Sequence, residues 1–218
     1  MSDYTLYSYF RSSCTARVRI ALYLKGVTCD DIPINLLKNE HASSKHKELN
    51  PSGTVPLLVN NSSGFKIGQS VAALEYLEET HPEHSLLPKD AQARATIRQL
   101  VNIIACDIQP VTNLRIMRQV RSLGGVAENW NLALTTDGLQ AYEAVAQGCA
   151  GKYSFADEVS LADCVLVPAV WNAQRFGVDM SKFPVIQGIM KNMEELDAVK
   201  RARYMVQSDT PEDLKQSK

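Results

Sequence analysis

The chain has 218 residues, 45% of them hydrophobic, and a formal net charge of -1. That length supports one large or two small domains with cores of their own, and the near-neutral balance leaves no overall electrostatic footprint for nucleic acid. No apolar run approaches the roughly 18 residues that cross a bilayer, so a membrane-spanning helix is excluded.

The start, Met1-Ser2-Asp3-Tyr4, is polar and carries an acid, which argues against a secretory signal. Tyr4-Thr5-Leu6-Tyr7-Ser8 is an aromatic-rich alternating run and predicts a short strand. After Tyr9-Phe10-Arg11 come Ser12-Ser13-Cys14-Thr15-Ala16-Arg17, then Val18, Ala21, Leu22 and Leu24 at helical spacing. Hydroxyls and a thiol therefore sit where a strand ends and a helix begins. A helix start has free N–H groups and the positive end of the dipole. Residues of this kind are ordinary caps; clustered with a thiol they also suit a site for a sulfur or oxygen anion.

Gly26 is a helix stop. Asp31-Ile32-Pro33-Ile34-Asn35-Leu36 predicts a strand near a sheet edge, because of its proline, and residues 38–47 predict a polar loop running into a short helix. Asn50-Pro51 and Ser52-Gly53 are turn signals, Leu57-Leu58-Val59 is a strand, residues 60–64 form a hairpin loop and residues 65–68 the returning strand. A cis bond before Pro56 would leave the backbone groups of Val55 open to an extended peptide; a trans proline at a strand entry is the alternative. Gln69-Ser70 opens a helix that runs to about Thr80 and is ended by His81-Pro82. Its start is a second place for an anion.

A crossover unit followed by a hairpin predicts a mixed four-strand sheet in an α/β thioredoxin-like domain over residues 1–83. A donor cluster for sulfur, a backbone edge for a peptide and a helix end for a carboxylate together describe glutathione as the ligand.

Residues 84–90 read as a linker and 91–218 as an all-α domain. Residues 91–121 predict one long helix with Ile97, Leu100, Val101, Ile104 and Ile108 on one side, kinked at Pro110. Gly124-Gly125 breaks it, and residues 132–150 predict the next helix. Ser160-Leu161-Ala162-Asp163 has capping-box spacing, with Asp in place of Glu, and is structural. Residues 184–196 and 198–204 predict further helices, and the polar tail from Gln207 is expected to be loosely held. Arg175, near the end of the capped helix, either satisfies the last carbonyls or faces a carboxylate.

Five cysteines is an odd count whose spacings fit neither a disulfide framework nor a zinc pattern. Reduced thiols and a cytoplasmic location are expected, with Cys29, Cys106, Cys149 and Cys164 as small core residues. His41, His46, His81 and His84 lack a supporting ligand set, so no metal site is expected.

At these residues the chain resembles the zeta class of glutathione transferases, whose best-known members are maleylacetoacetate isomerases. The resemblance rests on Ser12-Ser13-Cys14 with Arg17-Val18-Arg19-Ile20-Ala21-Leu22, on Pro33-Ile34-Asn35-Leu36, Val55-Pro56 and Gln69-Ser70, and on Leu86-Leu87-Pro88. It continues at Ile108-Gln109-Pro110, Asn113-Leu114, Gly177-Val178-Asp179 and Asp209-Thr210-Pro211. It implies glutathione contacts from Ser12, Ser13, Cys14, Thr15, Ala16, Arg17, His41, Val55, Gln69 and Ser70. It adds Gln109, Asn113, Leu114 and Arg115 in the helical domain, and a homodimer. Ala16 departs from the family's usual Trp, and His41 aligns where many members carry Gln.

The implied reaction is the glutathione-dependent cis–trans isomerisation of maleylacetoacetate to fumarylacetoacetate in tyrosine and phenylalanine breakdown. Ser12, Ser13 and Cys14 would serve the sulfur, and Arg11 and Arg175 would orient a dianionic keto-acid. Bringing a thiol of pKa roughly 8.5 to half ionisation at neutral pH needs about 2 kcal/mol. A serine hydrogen bond to the anion supplies roughly 1.5–3 kcal/mol, so no general base is required. The same thiolate would conjugate or dehalogenate small electrophilic acids, and a non-catalytic binding module is the reading from a different class.

Overall fold

The structure is a computed structural model and describes residues 2–215. Its first elements are β1 (Tyr4–Ser8), α1 (Ser13–Leu24), β2 (Cys29–Pro33), α2 (Ser44–Leu49), β3 (Leu57–Asn60), β4 (Lys66–Gly68) and α3 (Ser70–Thr80). There follow α4 (Ala91–Asn102), α5 (Gln109–Thr112), α6 (Leu114–Ser122), α7 (Ala127–Ala146), α8 (Leu161–Arg175), α9 (Pro184–Met193) and α10 (Asp197–Ala202). The chain divides into two compact units. One holds the residues up to Ser85 together with those from Leu196 onward; the other is Leu86–Glu195.

In the first unit the sheet order is β2-β1-β3-β4. β1 runs parallel to β2, with Tyr4 opposite Cys29, and antiparallel to β3, with Leu6 opposite Leu58; β4 closes the hairpin against β3. The alternation in β1 buries Tyr4, Leu6 and Ser8, as a strand period of two requires. Pro33 ends the edge strand β2, where a missing N–H costs nothing. The helix α3 buries Ser70, Ala73, Leu74, Leu77 and Glu78, a stripe at helical spacing. This is the mixed thioredoxin-like sheet expected.

The sequence predicts a single helical domain over 91–218, with its tail loosely held from Gln207. The structure instead returns the segment from Leu196 to the first unit and ties the tail down. α10 packs on α1, burying Ala198, Val199 and Ala202, and the Arg201 guanidinium lies 4.1 Å from the Tyr23 ring centre. Gln207 is buried and donates to the carbonyls of Arg201 (2.8 Å) and Arg203 (2.7 Å). The Thr210 hydroxyl donates to the Tyr204 carbonyl. Polar composition misled here because these side chains bond backbone carbonyls rather than water.

The second unit is helical, and its first predicted helix is interrupted. After α4 the residues Ile103–Ile108 form a π-helical turn, with Gln109 N–H bonded to the Ile104 carbonyl. Pro110 lacks an N–H and its ring would strike the carbonyl four residues back in a regular helix; the widened turn makes room. The chain then leaves helical geometry at Asn113 (φ −72°, ψ 167°), whose Oδ1 accepts from Ile116 N–H and restarts the helix as α6. The carbonyls freed at the end of α5 are taken by side chains of α7. Trp130 Nε1–H donates to Val111 (2.8 Å) and Asn131 Nδ2 to Thr112 (2.9 Å). That is why α7 begins at Ala127, ahead of the residue expected from periodicity.

The capping box at α8 is present: Ser160 N–H donates to Asp163 Oδ2 at 2.8 Å, while Ser154 N–H takes Oδ1 at 2.8 Å. Burial pushes the Asp163 carboxyl up, and the bonds from Ser154 and Ser160 oppose that. Glu143 caps α9 in the same manner, accepting from Val185 and Ile186 N–H.

One buried ion pair closes the end of α3 against α1. Lys25 Nζ meets Glu78 Oε2 at 2.8 Å and also donates to the carbonyls of His81 (2.9 Å) and His84 (2.8 Å). Removing one partner of such a pair strands the other. Lys25→Ala should therefore lower stability by about 3–5 kcal/mol in urea unfolding, and Lys25→Ala with Glu78→Ala should cost less than the two single changes together.

Candidate functional site

Ser12 is the N-cap of α1 (φ −76°, ψ 115°), and its Oγ accepts from Thr15 N–H at 3.2 Å. Accepting leaves the hydroxyl proton of Ser12 free to donate outward. Ser13 and Cys14 follow at the first helical positions, half-buried like Ser12, with N–H groups that precede any intrahelical acceptor. The first turn holds no acidic residue. Hydroxyls, a thiol and the positive helix end thus collect at one point without a competing charge. Thr15 and Ala16, the second of them the departure from Trp, are both buried.

Arg17 joins this helix start to a second one. Its guanidinium is buried at 2% exposure and Nη1 donates to Ser70 Oγ at 3.1 Å. Among the described residues no carboxylate pairs with it. Arg19 on the same helix is spent elsewhere, bonded to Ser8 Oγ (2.8 Å) and to Asp31 (3.3 Å). Ser70 opens α3, and the residue before it, Gln69, has φ 65° and ψ 112°. A non-glycine residue in that region is strained by about 1–3 kcal/mol and points to a functional constraint. The α3 start is thus a helix N-terminus backed by an unneutralised buried cation.

Between these lies the loop that ends at Val55-Pro56, where the peptide bond is cis. Val55 is buried against Tyr9 and Phe10 and precedes the first paired residue of β3, Leu57. His46 Nε2 and Asn50 Nδ2 both hold the Thr54 carbonyl at 2.9 Å. Gly53, with φ 59°, lets the backbone pass His41: a Cβ there would meet the His41 carbonyl at 3.2 Å. The structure therefore brings the α1 start, Val55, the His41 turn and the α3 start into one unit. His46 and Asn50 were not apparent from sequence as supports, since the carbonyl they share comes to them through a turn.

The remaining expected site residues lie in the second unit. Gln109 is half-buried at the start of α5; Asn113, Leu114 and Arg115 form the restart of α6. Both ends of the Asn113 amide are engaged, Oδ1 by Ile116 N–H and Nδ2 by the Pro110 carbonyl, each at 3.1 Å. Arg175 is exposed near the end of α8, stacked 4.2 Å from the Phe176 ring centre and bonded to Asn172 Oδ1 at 3.3 Å. Arg11 lies over the Phe10 ring. Cys29 is no rival to the site's thiol: burial, then Asp31 and Asp30, push it up to about 12. No helix among the described residues is long and apolar enough to cross a membrane.

The sequence profile of the glutathione S-transferase N-terminal domain matches residues 2–79. A maleylacetoacetate isomerase of Aspergillus fumigatus is 50% identical over 220 residues, covering 98% of this chain and 95% of its own. The holo structure of a maleylpyruvate isomerase, a bacterial zeta-class glutathione S-transferase, superposes with a TM-score of 0.91 at 39% identity, covering 95% of this chain and 100% of the other. A maleylacetoacetate isomerase of Anaeromyxobacter dehalogenans, solved with dicarboxyethyl glutathione and citrate in its active site, gives 0.88 at 34% identity over 98% of this chain and 97% of its own. Similarity of this degree over nearly the whole length places the chain: it belongs to the glutathione S-transferase family.

Proposed function

We propose that this chain is a glutathione-dependent isomerase that converts maleylacetoacetate to fumarylacetoacetate, with glutathione as a cofactor that is not consumed. The observation that carries the reading is the tie between the two helix starts. One presents Ser12, Ser13 and Cys14 with no acid in its first turn; the other presents Ser70 backed by buried Arg17. A thiolate suits the first and a carboxylate the second, as a short thiol peptide offers. Val55 supplies the backbone edge between them.

The Arg17–Ser70 bond has a direction. A guanidinium can only donate, so Ser70 Oγ accepts from it and must send its own proton elsewhere. Ser70 thereby becomes a donor toward a carboxylate, and the buried charge of Arg17 gains the counter-ion that the described residues do not supply. Thr15, Ala16 and Gln69 shape this pocket, His41 borders it, and Gln109, Asn113, Leu114 and Arg115 contribute to glutathione in a homodimer. Reduced cysteines and the absence of a disulfide pattern fit a cytoplasmic enzyme.

In the reaction the glutathione thiolate adds to the cis double bond of the conjugated keto-acid, and the electron pair moves into the adjoining carbonyl as an enolate. The former double bond turns as a single bond. Collapse of the enolate expels the thiolate and leaves the trans isomer. Ser12 and Ser13 hold the sulfur anion before and after, while Arg11 and Arg175 orient the carboxylates of the dianion. The relative with dicarboxyethyl glutathione in its active site holds a thioether of the kind such an addition forms. That same product favours a second reading, conjugation of small electrophilic acids when the adduct is released before elimination.

Isomerisation measured with and without glutathione should be absent without it; persistence would reject the mechanism. Ser12→Ala should lower kcat/KM about 10–100-fold, the equivalent of about 1.5–3 kcal/mol for a hydrogen bond to an anion. It should also move the acid limb of the pH–rate profile to higher pH, since the bound thiol then ionises less readily. Loss of the cap should separately cost about 1 kcal/mol of stability. Arg17→Met should raise KM for glutathione about 10–100-fold with much less change in kcat at saturation, because it acts on binding of the carboxylate rather than on the sulfur.

A further inference from the structure

The C-terminal segment has no part in the reaction above, yet it bonds the backbone from which the sulfur site is built. We propose that Asp209 is a positioning residue for glutathione: it fixes the turn that delivers Ser12. The proposal rests on the placement of glutathione at Ser12 and Val55.

Phe10 N–H donates to Asp209 Oδ2 at 2.8 Å, across nearly the full length of the chain. Phe10 lies inside the turn closed by Ser12 N–H to the Tyr9 carbonyl at 3.0 Å. That turn sets the direction in which α1 begins and hence where the Ser12 hydroxyl stands. Asp209 Oδ1 is buried and unpartnered, so among the described residues the bond from Phe10 N–H is the hydrogen bond this carboxylate makes. A buried donor such as Phe10 N–H, left without an acceptor, would draw the turn toward other partners.

The same segment covers the turn with apolar surface. Tyr9 and Phe10 are buried edge to face, 4.7 Å between ring centres, and form one cluster with Val55, against which Tyr204 and Leu214 pack. The cluster therefore joins the sulfur end of the site to its peptide edge, and the C-terminal segment supplies both an acceptor and a lid over it. The segment is itself anchored: Gln207 and Thr210 flank Asp209 and are buried on backbone carbonyls. A random tail would have none of these bonds.

The test uses the full chain. Asp209→Ala should raise KM for glutathione about tenfold, the loss expected for one charge-assisted hydrogen bond, and should weaken the ultraviolet thiolate band of bound glutathione at fixed pH. Asp209→Asn keeps an acceptor for Phe10 and should restore both toward the parent. Unchanged KM and thiolate band in Asp209→Ala would overturn the proposal, as would equal loss in Asp209→Asn, which would mark a bulk structural role. If Asp209→Ala does not fold, Leu214→Ala decides: a raised KM supports the proposal and a parental one overturns it. A parent enzyme that shows no thiolate band on adding glutathione would defeat the sulfur placement as well; a normal band in parent and Asp209→Ala alike defeats the positioning role alone.

Discussion

The buried bond from Arg17 to Ser70 joins the starts of two helices of the first unit. Two helices begin at unrelated points of the chain, and this contact, 3.1 Å long and buried, ties the first turn of one to the start of the other. A guanidinium without a carboxylate partner is an expensive thing to bury. In this fold the hydroxyl of Ser70 accepts from it and offsets part of that cost. The positive φ of Gln69 belongs to the same arrangement, since it turns the chain out of β4 and directly into the α3 start.

The other buried cations of the first unit show what a structural role looks like by comparison. Arg19 lies two residues beyond Arg17 and so on another side of the helix; it is neutralised by Asp31 and bonded to Ser8. Lys25 is neutralised by Glu78 and satisfies two carbonyls at the end of α3. Both have a carboxylate partner, although Arg19 Nη1 has no hydrogen-bond partner among the described residues. Arg17 has no carboxylate partner among the described residues, and that sets it apart from these two paired cations.

The second unit is organised by backbone groups rather than by charge. Pro110 disrupts the helix that hydrophobic spacing would extend through it, and a π-helical turn, a break at Asn113 and two side chains of α7 absorb the consequences. Gly138 matters for the same reason: a Cβ there would lie 2.1 Å from Ile108 Cγ1, so only glycine lets α7 pass the widened turn. The residues around the break are therefore fixed by hydrogen bonds that accompany the break itself.

Local sequence determined the sheet and the helix starts. The alternation in Tyr4–Ser8, the turn signals before Leu57 and the hydroxyl residues at Ser12 and Ser70 act over a few positions, and short-range sterics and capping suffice to read them. The family resemblance singled out Asp209-Thr210-Pro211 without giving it a role. Tertiary structure alone decided that Arg17 reaches Ser70 while Arg19 reaches Asp31, that the polar tail folds back to hold Phe10, and that α7 starts early to satisfy α5. Each of those pairs residues far apart in the chain. Such pairings depend on which buried donors and acceptors the packed fold leaves open, and no local pattern records that.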